Sequence, residues 1–347
     1  MTVMFACPIC GGNLEELPEN LHCVECNETF GTKDGIFNFI RSISNHGEFD
    51  RQKMRHILEH AKQHGWRSTL RDVMEPERPQ VADLLDSEVR SLSLSPLAPT
   101  QGAVLDFGCG YGGVSLALAK LYADVVSLDG SFERVSFLNI VRRQEKIENI
   151  QPVCHIDPLR LPFPDNAFDA IVMVGVYEYL PLNLPEMTTL KAHRAALLSL
   201  RRIMKPGGKL LMYSKNRYGW NYLLGGRDHN GIRFGPALPL RLADLLHRFK
   251  NGSPYRIVNY SVRQYRRMFL DAGFDVSGLY WPFPGYQVPR YLFNLNGSAG
   301  QQIGSAKLFD GWNAAAKQKA IVTLEAAGLL PRFVPTIGMM AIKLGAE

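Results

Sequence analysis

Apolar positions along this chain fall into short blocks of two kinds. Compact runs at 103–107, 123–129, 150–155, 169–175 and 208–214 read as buried strands. Between them, at 112–122, 131–146 and 186–204, apolar residues recur at three- and four-residue steps, the spacing of a helix. This alternation predicts an α/β fold with a doubly wound, mostly parallel sheet. A further helix at 261–272, stopped by Gly273, leads into a strand at 274–281, and 333–344 can return as a last strand. Two stretches fall outside the rhythm, at 214–255 and 282–328. Upstream, Met54, Ile57, Leu58 and Ala61 mark one helix, and Val81, Leu84, Leu85 and Val89 mark another beyond the Glu75–Pro79 break. The first 40 residues carry only short strand patterns, near Leu21-His22 and Gly35–Phe39, too little for a core. The expected division is therefore 1–40, a helical lid or linker at 41–100, and a main domain at 101–347 with insertions at 214–255 and 282–328.

Composition changes the picture at the N-terminus. The chain has 347 residues, 46% apolar and 21% charged, with a net charge of +6. That is ordinary globular composition, with no run long enough to span a membrane and no secretory layout. Four of the six cysteines form two C-x2-C pairs, Cys7/Cys10 and Cys23/Cys26, with twelve residues between the pairs. This spacing suits four thiolates around a tetrahedral Zn²⁺, and a closed four-sulfur set is structural rather than catalytic. Two disulfides are the alternative. Cys109 and Cys154 have no evident partner, which fits a reducing, cytoplasmic setting.

Candidate chemistry centres on Val104-Leu105-Asp106-Phe107-Gly108-Cys109-Gly110-Tyr111-Gly112-Gly113. A strand that ends in a glycine-rich turn and feeds a helix presents backbone N–H groups to a ligand. The glycines alone also satisfy the loose dinucleotide pattern, so a nicotinamide cofactor stays open on the turn itself. Asp106 stands where a carboxylate can meet an amino-acid ammonium group, and Asp129 ends the next strand, where ribose hydroxyls would lie.

The run from Leu105 to Gly112 resembles motif I of the class I S-adenosylmethionine-dependent methyltransferases. Asp129 is similar to their ribose-binding acid, Asp157–Asp169 to their adenine-side segment, and Lys205-Pro206-Gly207-Gly208 to their post-helix turn. The resemblance covers about 101–214. It implies a seven-stranded Rossmann-like sheet with an antiparallel last strand and S-adenosylmethionine as cofactor. It also implies a cofactor site made of Asp106, Gly108, Gly110, Gly112, Asp129, Gly130, Asp157, Pro158 and Val174. One departure is Pro158, which has no N–H to offer adenine N1 and leaves that contact to Leu159 N–H or a water.

The acceptor is less defined. The segment Gly175–Leu180 lacks the Asn/Asp-Pro-Pro-aromatic tetrad of enzymes that methylate exocyclic amines of nucleobases or a glutamine amide. Tyr177 and Glu178 follow the strand where family members line the methyl end of the pocket, although packing under the sheet's rim explains Tyr177 equally well. Arg227-Asp228-His229 offers a histidine beside a carboxylate, a base for a hydroxyl acceptor. His193 and His155 read as a helix-surface and a strand residue. The stretches 175–179, 215–229 and 282–289 resemble methyltransferases of surface-polysaccharide and glycoconjugate assembly, implying a small polar or glycan acceptor. The four-cysteine module resembles that of bacterial ribosomal-RNA guanine methyltransferases, which implies RNA contact through Lys33, Arg41, Arg51, Lys53 and Arg55. Glu15, Glu16, Glu19, Glu25 and Glu28 make the module acidic and oppose that reading. A cofactor-binding partner subunit without catalysis is the third expectation.

Overall fold

A computed structural model describes residues 4–40, 49–85, 87–297 and 299–345. Arg41, named above as a phosphate contact, lies outside them. The chain forms two compact units. The first runs through Met173 and takes in Ser199–Lys209, and the second comprises Val174–Leu198 and Leu210–Leu344.

The first unit opens with four short antiparallel strands, β1 (Leu14–Leu17), β2 (Asn20–Cys23), β3 (Thr29–Lys33) and β4 (Ile36–Asn38). Then come β5 (Thr100–Phe107), β6 (Tyr122–Asp129), β7 (Ile150–Cys154) and β8 (Phe168–Val174). Their order is β1-β2-β3-β4-β7-β6-β5-β8, and every pairing from β4 to β8 is parallel. The last five residues of β5 and of β6 are all buried, as strands covered on both faces require, which explains their unbroken apolar runs. The helix Phe132–Gln144 starts where Ser131 accepts Arg134 N–H, and it buries Val135, Phe137, Leu138 and Val141. Upstream, the helix Arg51–His64 is capped by Asp50 and buries Met54, Ile57 and Ala61. The segment expected as one helix around 81–89 is two, Gln80–Leu85 and Ser87–Leu94.

The pairing of β4 with β7 is the feature the pattern did not announce. Phe37 lies opposite Val153 and Asn38 opposite Cys154. The four-cysteine segment thus extends the parallel sheet. Phe39 N–H donates to Cys154 O, Ala6 N–H to Pro162 O, and Asn139 Nδ2 to Asp34 O. Phe5 touches Phe37, Phe39 and Phe163, with ring centroids 4.6–5.8 Å apart.

In the second unit, β9 (Met204–Lys215, from Leu210 onward), β10 (Phe274–Phe283), β11 (Tyr291–Asn294) and β12 (Thr336–Lys343) lie in the order β9-β12-β10-β11. Both pairings of β10 are antiparallel. The helix Val262–Asp271 begins with a reciprocal cap, Ser261 with Gln264, and buries Tyr265, Met268 and Phe269. Among the described residues there are twelve strands rather than seven. Seven match the sheet runs expected of the main domain, β2 and β4 match the short patterns near Leu21-His22 and Gly35–Phe39, and β1, β3 and β11 were not expected. Helix Thr189–Ile203 hands over directly to β9 at Met204, because Lys205-Pro206-Gly207-Gly208 bends within the strand, with Gly207 at φ 74°. No described helix is long and apolar enough to cross a membrane.

Candidate functional site

On the first unit the glycine turn is built by backbone geometry. Gly108, Gly110 and Gly112 adopt φ of 82°, 54° and 98°, left-handed values that favour glycine. The N–H groups of Gly108 and Cys109 both donate to Leu128 O, which ties the turn to the end of β6. Gly113 answers to a neighbour instead. A Cβ there would lie 1.9 Å from Leu84 O, so the helix Gln80–Leu85 rests directly on the turn. Tyr111, on the same turn, donates its hydroxyl to Met54 Sδ at 3.7 Å.

Several of the expected cofactor residues on this unit have defined partners. Asp129 holds Gly110 N–H with one oxygen and Ser131 N–H with the other, both at 2.9 Å. Gly130 follows it, close under Ile156. Asp106 is buried to 1% exposure and accepts Ser115 Oγ–H at 2.6 Å, while Ser127 donates to Ser115 at 2.8 Å. Burial raises the Asp106 carboxyl to about 7; the Ser115 hydrogen bond and Arg90 pull the other way. Asp157 accepts Leu159 N–H at 2.9 Å with its own carboxylate. The donor expected to replace the missing Pro158 N–H is therefore already engaged. His155, just past β7, is buried, and its Nε2 meets Asp157 O at 2.9 Å. Val174 ends β8.

The four cysteines converge as the spacing implied. Their sulfurs all lie within 4.8 Å of one another, with Cys7–Cys26 at 3.6 Å and Cys10–Cys23 at 3.4 Å. A Zn–S bond of about 2.3 Å in a tetrahedron sets sulfurs about 3.8 Å apart. Ile9 N–H and Gly12 N–H each donate to a cysteine sulfur at 3.4 Å, the backbone support a thiolate needs. The donor set fits a four-thiolate zinc site.

On the second unit a polar cluster surrounds Glu178. Its carboxylate is fully buried and accepts Ser214 Oγ–H at 3.0 Å and Tyr286 O–H at 3.4 Å. Ser214 also meets Tyr265 O–H at 2.9 Å. His229 joins this cluster: its Nδ1 lies 2.9 Å from Tyr179 Oη and its Nε2 4.0 Å from Glu178 Oε1. Burial and then Lys215 push the His229 imidazole down to about 4, so it is neutral near pH 7. Burial raises the Glu178 carboxyl and lowers Lys215.

Two expected catalytic residues are placed elsewhere. Asp228 does not orient His229. It accepts Asn230 N–H and Ile232 N–H at 2.9 Å and Tyr255 O–H at 2.5 Å, which makes it the organiser of its own turn. Tyr177 is fully buried, with its hydroxyl 3.8 Å from Met268 Sδ and its ring 4.5 Å from that of His193. His193, expected on a helix surface, is itself buried and held by Tyr177 O, Thr189 O and Tyr260 Oη. Sequence reasoning missed Ser214, Lys215, Tyr265 and Tyr286, which carry no local motif. It also missed Arg256, whose guanidinium donates to the carbonyls of Pro181, Leu184, Pro185 and Met187 at 2.7–3.2 Å and so fixes the loop after Glu178.

A methyltransferase-domain family matches residues 105–212. The ubiquinone/menaquinone biosynthesis C-methyltransferase UbiE of Paraburkholderia phymatum is 30% identical over 186 residues, 51% of this chain and 69% of its own. Its namesake from Neisseria meningitidis serogroup A is 30% identical over 180 residues, 50% of this chain and 66% of its own. The sterol 24-C-methyltransferase ERG6B of Gibberella zeae is 29% identical over 111 residues, 32% of this chain and 27% of its own. The chain belongs to the class I S-adenosylmethionine-dependent methyltransferases. That membership sets aside the nicotinamide reading of the turn.

Proposed function

We propose that the acceptor is a small hydroxyl-bearing molecule whose hydroxyl proton is taken by His229. The observation that carries this reading is the placement of His229 between Tyr179 and the buried Glu178. If Nδ1–H donates to the Tyr179 oxygen, Nε2 keeps its lone pair and is the basic atom. Bound S-adenosylmethionine supplies a methyl group already activated on a sulfonium. His229 Nε2 would take the proton of the acceptor hydroxyl, leaving its oxygen as the nucleophile. The Asp228 carboxylate favours the imidazolium so formed, against burial and Lys215. Ser214, Tyr265 and Tyr286 hold Glu178 in place.

The cofactor is assigned to Asp106 at the ammonium, Gly108, Gly110 and Gly112 along the backbone, Asp129 and Gly130 at the ribose, Asp157 and Pro158 at the adenine, and Val174 at the end of β8. Cys7, Cys10, Cys23 and Cys26 are assigned to a structural zinc, and six unpaired cysteines favour a cytoplasmic setting. The names of the relatives, C-methyltransferases both, support a second reading, in which the methyl group goes to carbon rather than oxygen. RNA is the alternative acceptor; of the phosphate contacts expected for it, Lys53 is paired with Glu77.

Methyl-labelled cofactor and hydroxyl-bearing acceptors, with NMR of the product, separate methylation at oxygen from methylation at carbon. His229→Gln should lower kcat by about 10²–10⁴-fold and leave S-adenosylhomocysteine affinity intact. Unchanged kcat in that variant overturns the assignment of the base.

A further inference from the structure

The helix Leu240–Asn251 is amphipathic in the inverted sense. Its inward side carries Ala243 and His247, both buried, and the half-buried Asp244. His247 Nδ1 is engaged with Ser253 O, and Asp244 accepts Tyr255 N–H at 2.9 Å and Arg248 Nε–H at 2.8 Å. Leu242, Leu245, Leu246 and Phe249 recur at three- and four-residue steps on the opposite side and are exposed, Leu245 to 63% and Phe249 to 92%. Soluble helices point this stripe at a core. Here it points outward.

Cations flank the stripe on both sides. At 100° per residue, Arg241 and Arg248 border one edge and Lys250 the other, and all three residues are exposed. The apolar surface continues beyond the helix. The short helix Trp220–Leu223 packs on the turn Gly235–Ala237, which packs on Leu240–Asn251. These neighbours add exposed Leu223, Leu224 and Phe234. Residues 214–255 hold seven Lys and Arg against two Asp, a net +5, whereas the whole chain carries only +6. Nearly the entire charge excess of the protein lies in the segment that carries this apolar stripe.

We infer that the helix Leu240–Asn251 docks on an anionic lipid surface, with Leu242, Leu245, Leu246 and Phe249 in the headgroup–acyl boundary and Arg241, Arg248 and Lys250 at the phosphates. A stripe of leucine and phenylalanine between cations is the layout of a helix lying in a membrane interface. Nucleic acid would use the cations and leave the stripe in water. A second copy of the chain would bring like charges together at the rim. Docking would present the protein to acceptors that reside in or are anchored to a membrane, whichever atom receives the methyl group.

Flotation of the full chain with vesicles of phosphatidylcholine alone, and with phosphatidylglycerol mixed in, tests this. Binding is expected only with the anionic lipid and should weaken with salt. Phe249→Glu with Leu245→Glu should abolish flotation while S-adenosylhomocysteine binding and circular dichroism stay as in the wild type. Neutralisation of either cation, Arg241→Gln or Lys250→Gln, should lower partitioning roughly fivefold. Both charge variants keep the stripe, so they report on docking even if the double variant folds poorly. Absence of flotation on every composition overturns the inference. So does a stripe-dependent dimer in light scattering, or RNA binding lost with the same substitutions. Because cofactor binding is measured separately, failure to dock is distinct from failure of the methyltransferase site.

Discussion

If Asp106 meets the cofactor's ammonium group, cofactor binding must release a proton. The buried carboxyl is raised to about 7 without ligand, so near neutrality it is shared between acid and carboxylate. Only the carboxylate pairs with an ammonium. The apparent dissociation constant then scales as the inverse of the ionised fraction, which is about three-quarters at pH 7.5 and about one-eleventh at pH 6. S-Adenosylhomocysteine should bind about eightfold more weakly at pH 6, roughly 1.2 kcal/mol. Titration calorimetry in two buffers of different ionisation enthalpy should show protons released on binding near pH 6. Asp106→Asn should bind more weakly overall and lose both effects. The same group works against the fold as pH rises. Its folded pKa lies above the unfolded value of about 3.9, so stability present below about 4 is lost progressively up to about 7, by on the order of 4 kcal/mol. A pH-independent affinity from 6 to 7.5, or proton release that persists in Asp106→Asn, would refute the placement of the ammonium at Asp106.

Three further outcomes follow from the geometry. Elemental analysis should find one zinc per chain, lost in Cys10→Ser, with a lowered thermal midpoint for the variant and for chelator-treated protein. Gly113→Ala must push the Leu84 backbone away from a 1.9 Å contact. It should cost about 1–3 kcal/mol and weaken S-adenosylhomocysteine binding, and an unchanged midpoint would show that the helix Gln80–Leu85 does not rest on the turn. Arg256→Lys cannot serve carbonyls of four residues from one ammonium; urea unfolding should show a loss of about 2–4 kcal/mol, with kcat falling while cofactor affinity holds.

What the chain disclosed in advance follows physical range. The strands β5–β8 and the glycine turn were legible because burial on both faces forces continuous apolar runs, and a left-handed turn demands glycine at set positions. The C-x2-C pairs were legible because a metal's ligands recur at fixed local spacing. The polar cluster around Glu178 was not, because Glu178 and His229 approach each other across about fifty residues with no shared period. Proximity in sequence misled at Asp228: a carboxylate next to a histidine suggested a pair, but a short side chain in a tight turn bonds first to the N–H groups just ahead of it. Tyr177 shows the same limit, since nothing local distinguishes a tyrosine that lines a pocket from one that fills a core. The pairing of β4 with β7 escaped because a three-residue strand has too few positions to display alternation.

That pairing has a consequence for handling the protein. An outermost parallel strand offers a row of unpaired N–H and C=O groups to any other chain, and Ile150-Gln151-Pro152-Val153-Cys154 is apolar enough to be taken up. With β4 along it, the edge is closed by a segment whose outermost strand, β1, is short and carries Glu15 and Glu16. If the four cysteines hold the proposed zinc, stripping it or oxidising the thiols would therefore do more than loosen a small module. It would uncover a self-adhesive edge, so turbidity, rather than slow loss of activity, would be the first sign of damage.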